Sequence, residues 1–263
     1  MATWQVWLAG LGASLVLMLV TWIASLIRRD ASLVDRVWGL AFVVIAVTYA
    51  LVGDGAPTRT WLMVALVAIW GLRLSIYLTW RNWGEGEDKR YRSMRRRDSS
   101  VPFELRSLVT VFVLQGVLAW LISLPLLAAA TAPEPTALSW LDALGVLVWL
   151  VGFVFEAGGD WQLSRFLADP ANRGTVMDRG LWRYTRHPNY FGDTTLWWGY
   201  FLLALATGAW WAALGSALMT VLIVKVSGVA LTERSMSKSS REGHEEYVAR
   251  TNAFFPGPPR PRG

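Results

Sequence analysis

Arg183-Tyr-Thr-Arg-His-Pro-Asn-Tyr-Phe-Gly-Asp193 runs without a break into Thr194-Thr-Leu-Trp-Trp-Gly-Tyr-Phe-Leu-Leu-Ala-Leu-Ala-Thr-Gly208. A dense set of chargeable side chains thus abuts a tryptophan-rich apolar segment. That is the pattern of a cytoplasmic loop entering a bilayer, and it reads as a headgroup or cofactor site at a membrane surface. The rest of the chain agrees. Of its 263 residues 54% are hydrophobic, 17 are Trp, and the mean hydropathy is +0.36, which places it among polytopic membrane proteins.

A helical span needs about 20 apolar residues. Seven stretches qualify as candidates, roughly 4–27, 32–52, 59–80, 104–129, 138–163, 194–208 and 209–231. The sixth is short and meets the seventh at Thr207-Gly208, so the two are expected to form a tight hairpin. The first lacks a basic leader and a small-residue cleavage site, and Arg28-Arg29 follow it as a stop, so it reads as a retained helix. The expectation is an all-α, seven-helix membrane protein forming one domain over 1–263, with 254–263 as a Pro-rich tail that cannot pack as helix. No GxxxG helix face stands out above the general Gly and Ala content, and the oligomeric state is left open.

Charge placement sets the orientation, because Lys and Arg accumulate in cytoplasmic loops. Arg28 and Arg29 follow the first span. Arg81, Lys89, Arg90, Arg92, Arg95, Arg96, Arg97 and Arg106 lie between the third and fourth. Arg173, Arg179, Arg183 and Arg186 lie between the fifth and sixth, and Arg234, Lys238, Arg241, Arg250, Arg260 and Arg262 follow the seventh. The opposite loops hold almost only Arg59. The N-terminus is therefore expected outside and the C-terminus in the cytoplasm, in what reads as a bacterial cytoplasmic membrane.

Several chemistries are excluded at once. Cysteine is absent, so disulfides, thiol nucleophiles and cysteine-ligated metals are out. The two histidines, His187 and His244, make no HxxxH or HxxE spacing, and no metal is expected. Gly84-Glu-Gly-Glu-Asp88 completes neither GxGxxG nor GxxxxGK and follows no strand, so it is not a phosphate loop. Nucleic acid is not an expected partner; membrane lipids are, with the Arg90–Arg97 segment as an orientation signal or an anionic-lipid contact.

Ionisable residues inside spans cost at least a few kcal/mol and so need a partner or a task. They are Asp35, Arg73, Glu156, Asp160, Asp193 and Lys225. Core pairs such as Asp35 with Arg73, or Glu156 with Lys225, are one explanation. A cavity open to the cytoplasmic loops explains the whole set better. The arginines of those loops, lying beside aromatic rings and carboxylates, suit a ligand with several phosphates, a sugar and a flat base. Arg165, Arg173, Arg183, Arg186 and Arg250 are the candidate phosphate contacts, with Asn172, Asn189 and Asn252 for amide or ribose edges.

Four motifs in order carry a resemblance: Ser32-Leu-Val-Asp-Arg-Val-Trp-Gly39, Gly86-Glu-Asp-Lys-Arg-Tyr91, Leu181 through Asp193, and Glu245-Glu-Tyr247 with Arg250-Thr-Asn-Ala-Phe-Phe-Pro256. Together they resemble the bacterial branch of the steroid 5α-reductase family, over essentially the whole chain. The resemblance implies seven membrane helices, NADPH as cofactor, and reduction of the carbon–carbon double bond conjugated to the 3-ketone of a steroid or similar lipophilic enone. It puts the acid that contacts the substrate ketone on Asp35, where animal members have glutamate. Tyr77 is the nearest candidate for the partner tyrosine, offset along its helix, with Trp70 at the equivalent place and Trp38 and Arg73 as further substrate contacts. Cofactor contacts carry over to Asn82, Arg90, Tyr91, Asp160, Trp161, Tyr184, Asn189 and Asp193, with His187, Glu233 and Tyr247 joining them. The Arg-His-Pro-Asn-Tyr run alone is also similar to isoprenylcysteine-type methyltransferases, so transfer of a methyl group from S-adenosylmethionine to a lipid-like substrate is the alternative.

Overall fold

The computed structural model describes residues 1–96, 99–236 and 242–261; Arg97, Lys238, Arg241 and Arg262 of the basic loops lie outside the described residues. The helices are α1 (Thr3–Arg28), α2 (Leu33–Arg36), α3 (Trp38–Val52), α4 (Pro57–Arg81), α5 (Lys89–Arg95), α6 (Phe103–Ser107), α7 (Leu114–Ile122), α8 (Leu124–Thr131), α9 (Trp140–Ala168), α10 (Pro188–Leu205), α11 (Ala213–Val221), α12 (Val229–Met236) and α13 (His244–Arg250). Pairing of β type among the described residues is confined to one bridge between Thr175 and Glu242. Among the same residues five helical runs are long and apolar enough to cross a membrane: Thr3–Arg28, Pro57–Arg81, Phe103–Ile122, Trp140–Ala168 and Trp210–Arg234. The protein is thus an all-helical, polytopic integral membrane protein.

Two expected spans are broken. The 32–52 stretch divides at Val37 into α2 and the shorter apolar α3. The 104–129 stretch divides at Ser123, two residues before Pro125, which has no N–H to give the preceding turn and whose ring crowds it. Two π-helical turns, Leu108–Val113 and Leu222–Ser227, interrupt otherwise regular helix. Such turns place an extra residue in one turn and rotate the next stretch of helix about its axis.

The helices group into two units. The first comprises Met1–Ser139 and Leu203–Gly215. Here α3 and α4 touch backbone to backbone, since a Cβ on Gly71 would lie 2.5 Å from the Gly39 carbonyl oxygen. Beside this contact the Ser75 hydroxyl accepts from the Leu40 amide at 3.1 Å. Helix α1 is fixed to α7 by Ser14 Oγ donating to Gly116 O at 2.9 Å, by Trp120 Nε1 donating to Trp7 O at 2.8 Å, and by stacking of those two indoles at 4.1 Å. Bilayer lipid is as apolar as leucine, so such close backbone approach and interhelical hydrogen bonds carry the packing.

The second unit comprises Trp140–Leu202 and Ser216–Gly263. Glycines seven residues apart, Gly145, Gly152 and Gly159, run down α9; Gly145 meets Gly199 of α10, Gly152 meets Gly192, and Gly159 meets Pro188 and Asn189. A Cβ on Gly152 would be 2.5 Å from the Leu196 amide nitrogen; one on Gly199 would be 2.7 Å from the Trp149 amide nitrogen. This small-residue face, absent from a search for GxxxG, repeats every two turns. Ser216 Oγ donating to Trp197 O at 2.7 Å then ties α11 to α10 as the second arm of the expected hairpin. Among the described residues the C-terminal segment has no helix after Arg250, and it is docked: Arg186 N donates to Asn252 O, Gly257 N to Tyr184 O and Arg260 N to Arg250 O, at 2.9–3.0 Å.

Candidate functional site

In the first unit a polar cluster forms where α2 meets the loop after α4. Asp35 stands on the four-residue α2 and accepts from Arg90 Nη2 at 2.7 Å and from the Tyr91 hydroxyl at 2.8 Å. Both donors are presented by α5, which starts there because the Asp88 side chain caps it, accepting from the Arg90 amide at 2.8 Å. Gln115 Nε2 donates to the same Tyr91 oxygen at 3.4 Å. Burial first, and then the negative carboxylate of Asp35, push the Tyr91 phenol above its ordinary range, so it keeps its proton.

The α5 segment is anchored at several other points. Arg95 forks onto Glu87 at 2.9 and 3.1 Å and reaches Glu104 at 2.6 Å. The Ala31 amide donates to Glu87 at 2.9 Å, and Arg36 Nη2 donates to the Asn82 carbonyl at 3.3 Å. The structure therefore gives Asp35 a partner arginine and tyrosine different from those expected. Arg90 stands where Arg73 was proposed, and Tyr91 where Tyr77 was. Arg73 and Tyr77 lie half-buried on α4, with the Tyr77 ring 6.3 Å from Trp80 and the Arg81 guanidinium 5.5 Å above it. Trp70 is wholly buried against Phe42, at 5.5 Å between ring centroids, which makes it a core residue rather than a surface for substrate; Trp38, on the other side of Phe42 at 5.2 Å, is half-buried.

In the second unit the opening motif is at the centre of a hydrogen-bonded knot. Arg186 forks onto Glu233 at 2.7 and 3.1 Å and donates through Nη1 to Thr251 O at 2.7 Å and Val248 O at 3.2 Å. His187 Nε2 is 2.7 Å from the same Glu233 carboxylate. Burial holds the His187 ring below its ordinary pKa, and the neighbouring Glu233 offsets this only in part, so the ring is neutral near pH 7. Thr185 Oγ1 donates to Phe254 O at 2.8 Å, and Tyr247 donates to Trp182 O at 2.6 Å. With its donors so engaged, Arg186 is a clamp on the C-terminal segment, not a free phosphate ligand. Asn252 joins that clamp through its carbonyl.

Asp160, buried on α9, accepts from Asn189 Nδ2 at 3.1 Å, which brings together two of the residues named separately as cofactor contacts. Asp193 lies one turn further along α10, half-buried. Trp161 is exposed, with the Arg165 guanidinium 5.3 Å from its ring. Asn172 closes the end of α9 by donating to Phe166 O at 2.9 Å, and Arg173 follows it exposed. Arg183 and Tyr184 are exposed. Lys225, proposed as a partner for Glu156, is exposed on its π-turn. A cavity of about 500 Å³ opens between the 175–183 loop and α13, and its wall includes Arg179, Arg183, Arg250, Asp178, Glu246 and Tyr247. Among the described residues no group of His, Asp and Glu is placed to hold a metal ion.

Sequence reasoning missed Gln115, Asp88 and Thr185. Gln115 had a signal: it is an amide inside an apolar span, and such groups need a partner as much as charges do.

The sequence model of a family described as a protein of unknown function, DUF1295, matches residues 21–251. An uncharacterized protein of the yeast Schizosaccharomyces pombe is 25% identical over 272 aligned positions, covering 94% of this chain and 78% of that protein. No solved structure matches. With the match extending from the end of α1 to the end of α13, the chain belongs to the DUF1295 family.

Proposed function

We propose that the protein uses NADPH to reduce the conjugated carbon–carbon double bond of a lipophilic enone, a 3-oxo-Δ4-steroid or a similar molecule, within the membrane. The observation that carries this reading is the Tyr91–Asp35 contact of 2.8 Å. As an enone is reduced, negative charge develops on its carbonyl oxygen, and a donor aimed there stabilises it. The Tyr91 phenol gives its single proton to a hydrogen bond with Asp35 here, and it becomes such a donor when the hydroxyl turns from the carboxylate to the substrate oxygen. Asp35 orients the hydroxyl, Gln115 touches the same oxygen, and Arg90 balances the carboxylate. The half-buried Trp38 offers a flat apolar surface for a fused-ring substrate.

For the cofactor, the donor chemistry of the second unit fits. Arg179 and Arg183 line a cavity of about 500 Å³ and suit phosphate oxygens, with Arg250 held beside them by Glu246 at 3.3 Å, while Asp160 and Asn189 suit a carboxamide. When bound, NADPH supplies a hydride to the β-carbon of the enone. The chain's own residues orient the cofactor, and the Tyr91 phenol furnishes the proton that the resulting enolate takes up. Arg186, Asn252 and His187 act here as scaffold.

The reading includes seven membrane helices with the N-terminus outside and the C-terminus in the cytoplasm of a bacterial membrane. The grouping of basic residues on one set of loops supports it. Mass spectrometry of nucleotide co-purifying with the protein tests the cofactor: NADP(H) is expected, and S-adenosylmethionine or its demethylated product would establish the methyltransferase reading instead. NADPH oxidation with a Δ4-3-ketosteroid tests the reaction. Asp35→Ala should abolish turnover and retain NADPH; unchanged turnover overturns the assignment of Asp35.

A further inference from the structure

The segment from Arg81 to Arg96 sorts its charges by side. Two of its acids are consumed internally, Glu87 by Arg95 and Asp88 by Arg90, and Arg90 also holds Asp35. Arg81, Lys89, Arg92 and Arg96 remain exposed and outside the ion pairs of the described residues, although the charge of Arg92 is felt by Glu87 and that of Arg81 by Asp88; Glu85 and the Arg90-bound Asp88 are the exposed acids between them. The outward face of this segment is therefore strongly basic although the sequence alternates in sign. Leading into this segment, α4 presents an exposed apolar stripe, Ile69, Leu72, Ile76 and Trp80, at helical spacing, and Trp83 prolongs it past the helix end. Trp80 and Trp83 are 66% and 73% exposed. Indoles of this kind sit at the headgroup level of a bilayer. All of these residues belong to the first unit.

We propose that this face is a binding surface for an anionic phospholipid. Its acyl chains lie along Ile69, Leu72 and Ile76, its glycerol region meets Trp80 and Trp83, and its phosphate is held by Lys89, Arg92 and Arg96. Charge decides the lipid class: a zwitterionic headgroup brings an ammonium that four exposed cations repel. Arg81 is pre-oriented for the task by its Tyr77 ring contact and by its Nε donating to Asn82 Oδ1 at 3.3 Å. Each cation near an anionic surface contributes about 1 kcal/mol, roughly a fivefold factor in affinity.

The test uses the full-length protein in neutral detergent. It is titrated with dibrominated phosphatidylglycerol and, separately, dibrominated phosphatidylcholine, and quenching of tryptophan fluorescence is read. The component lost in the Trp80→Phe/Trp83→Phe variant reports this face. That component should favour phosphatidylglycerol by tenfold or more and weaken as NaCl rises to 0.5 M. Lys89→Ala/Arg92→Ala should lower phosphatidylglycerol affinity about 25-fold and leave phosphatidylcholine unchanged, whereas Lys89→Arg/Arg92→Lys retains the preference. Equal affinity for the two lipids, insensitivity to salt, or an unaltered titration in the double alanine variant each overturns the proposal.

Discussion

Gly152 of α9 and Gly192 of α10 touch through their backbones, so closely that a Cβ on Gly152 would lie 2.6 Å from the Gly192 carbonyl oxygen. Neither neighbour is a flexible side chain that can move aside. Gly152→Ala should therefore destabilise the helix pair by about 1–3 kcal/mol, the usual cost of overpacking. Gly12→Ala is the control, because nothing lies within 4 Å of its would-be Cβ and the helix gains up to about 1 kcal/mol. Thermal or SDS denaturation in detergent should show opposite shifts for the two.

The Arg186 clamp makes a sharper prediction. Glu233→Gln leaves a guanidinium with little exposure short of its carboxylate, at a cost of about 1–3 kcal/mol after allowing for the partial exposure of Glu233. Truncation after Thr251 removes the Asn252 and Phe254 carbonyl acceptors. Both changes should raise the rate at which a protease cuts near Tyr184, while leaving helix content unaltered.

Glu87 gives a pH dependence with a defined sign. Burial pushes its carboxyl up, but the Arg95 fork, the Ala31 amide and the positive charges of Arg95 and Arg92 outweigh this and hold it below its ordinary 4.5. The folded state then binds fewer protons than the unfolded one. The stabilisation is complete above about pH 4.5 and is lost as pH falls through the lowered native value. The melting-temperature gap between native protein and Glu87→Gln should be constant from pH 8 down to about pH 4.5 and close as pH falls further.

Tyr91→Phe removes the phenol and preserves the ring packing. Enone reduction should slow by roughly 10²- to 10⁴-fold, the range for losing a positioned proton donor, with the Kd for NADPH unchanged. Tyr77→Phe should retain activity within a few fold. Stopped-flow NADPH oxidation distinguishes the two, and equal losses would move the donor to α4.

Orientation is checked by fusions. A fluorescent reporter after the C-terminal segment should be active in the cytoplasm, and alkaline phosphatase joined there should not be. The reverse result inverts every loop.

The helices themselves were legible in the sequence. Each apolar stretch became helix because a chain in lipid must satisfy its backbone within itself. The breaks at Val37 and Ser123 were hidden, since hydropathy is blind to a change of direction inside an apolar run. In the candidate site, Asp160 and Asn189 were each singled out in the sequence, but their bond across 29 residues was not. Pairs that depend on where a distant segment folds back, such as Asp35 with Tyr91, were likewise not legible. The glycine face on α9 does not show at a spacing of four, because its contact repeats at seven.

By itself the sequence determined an all-helical membrane protein, its polar loops, and Asp35 and the Arg183–Asp193 run as the places where polarity needs explaining. Asp35 and Tyr91 stand 56 residues apart, and Arg186 and Thr251 stand 65 apart. Only tertiary structure decided that the phenol of α5, not that of α4, reaches the acid, and that Arg186 grips carbonyls instead of facing a ligand. The reason is physical. Composition and period report which surface a residue prefers, whereas a hydrogen bond needs two groups within about 3 Å, and that is fixed by how distant segments fold back and pack.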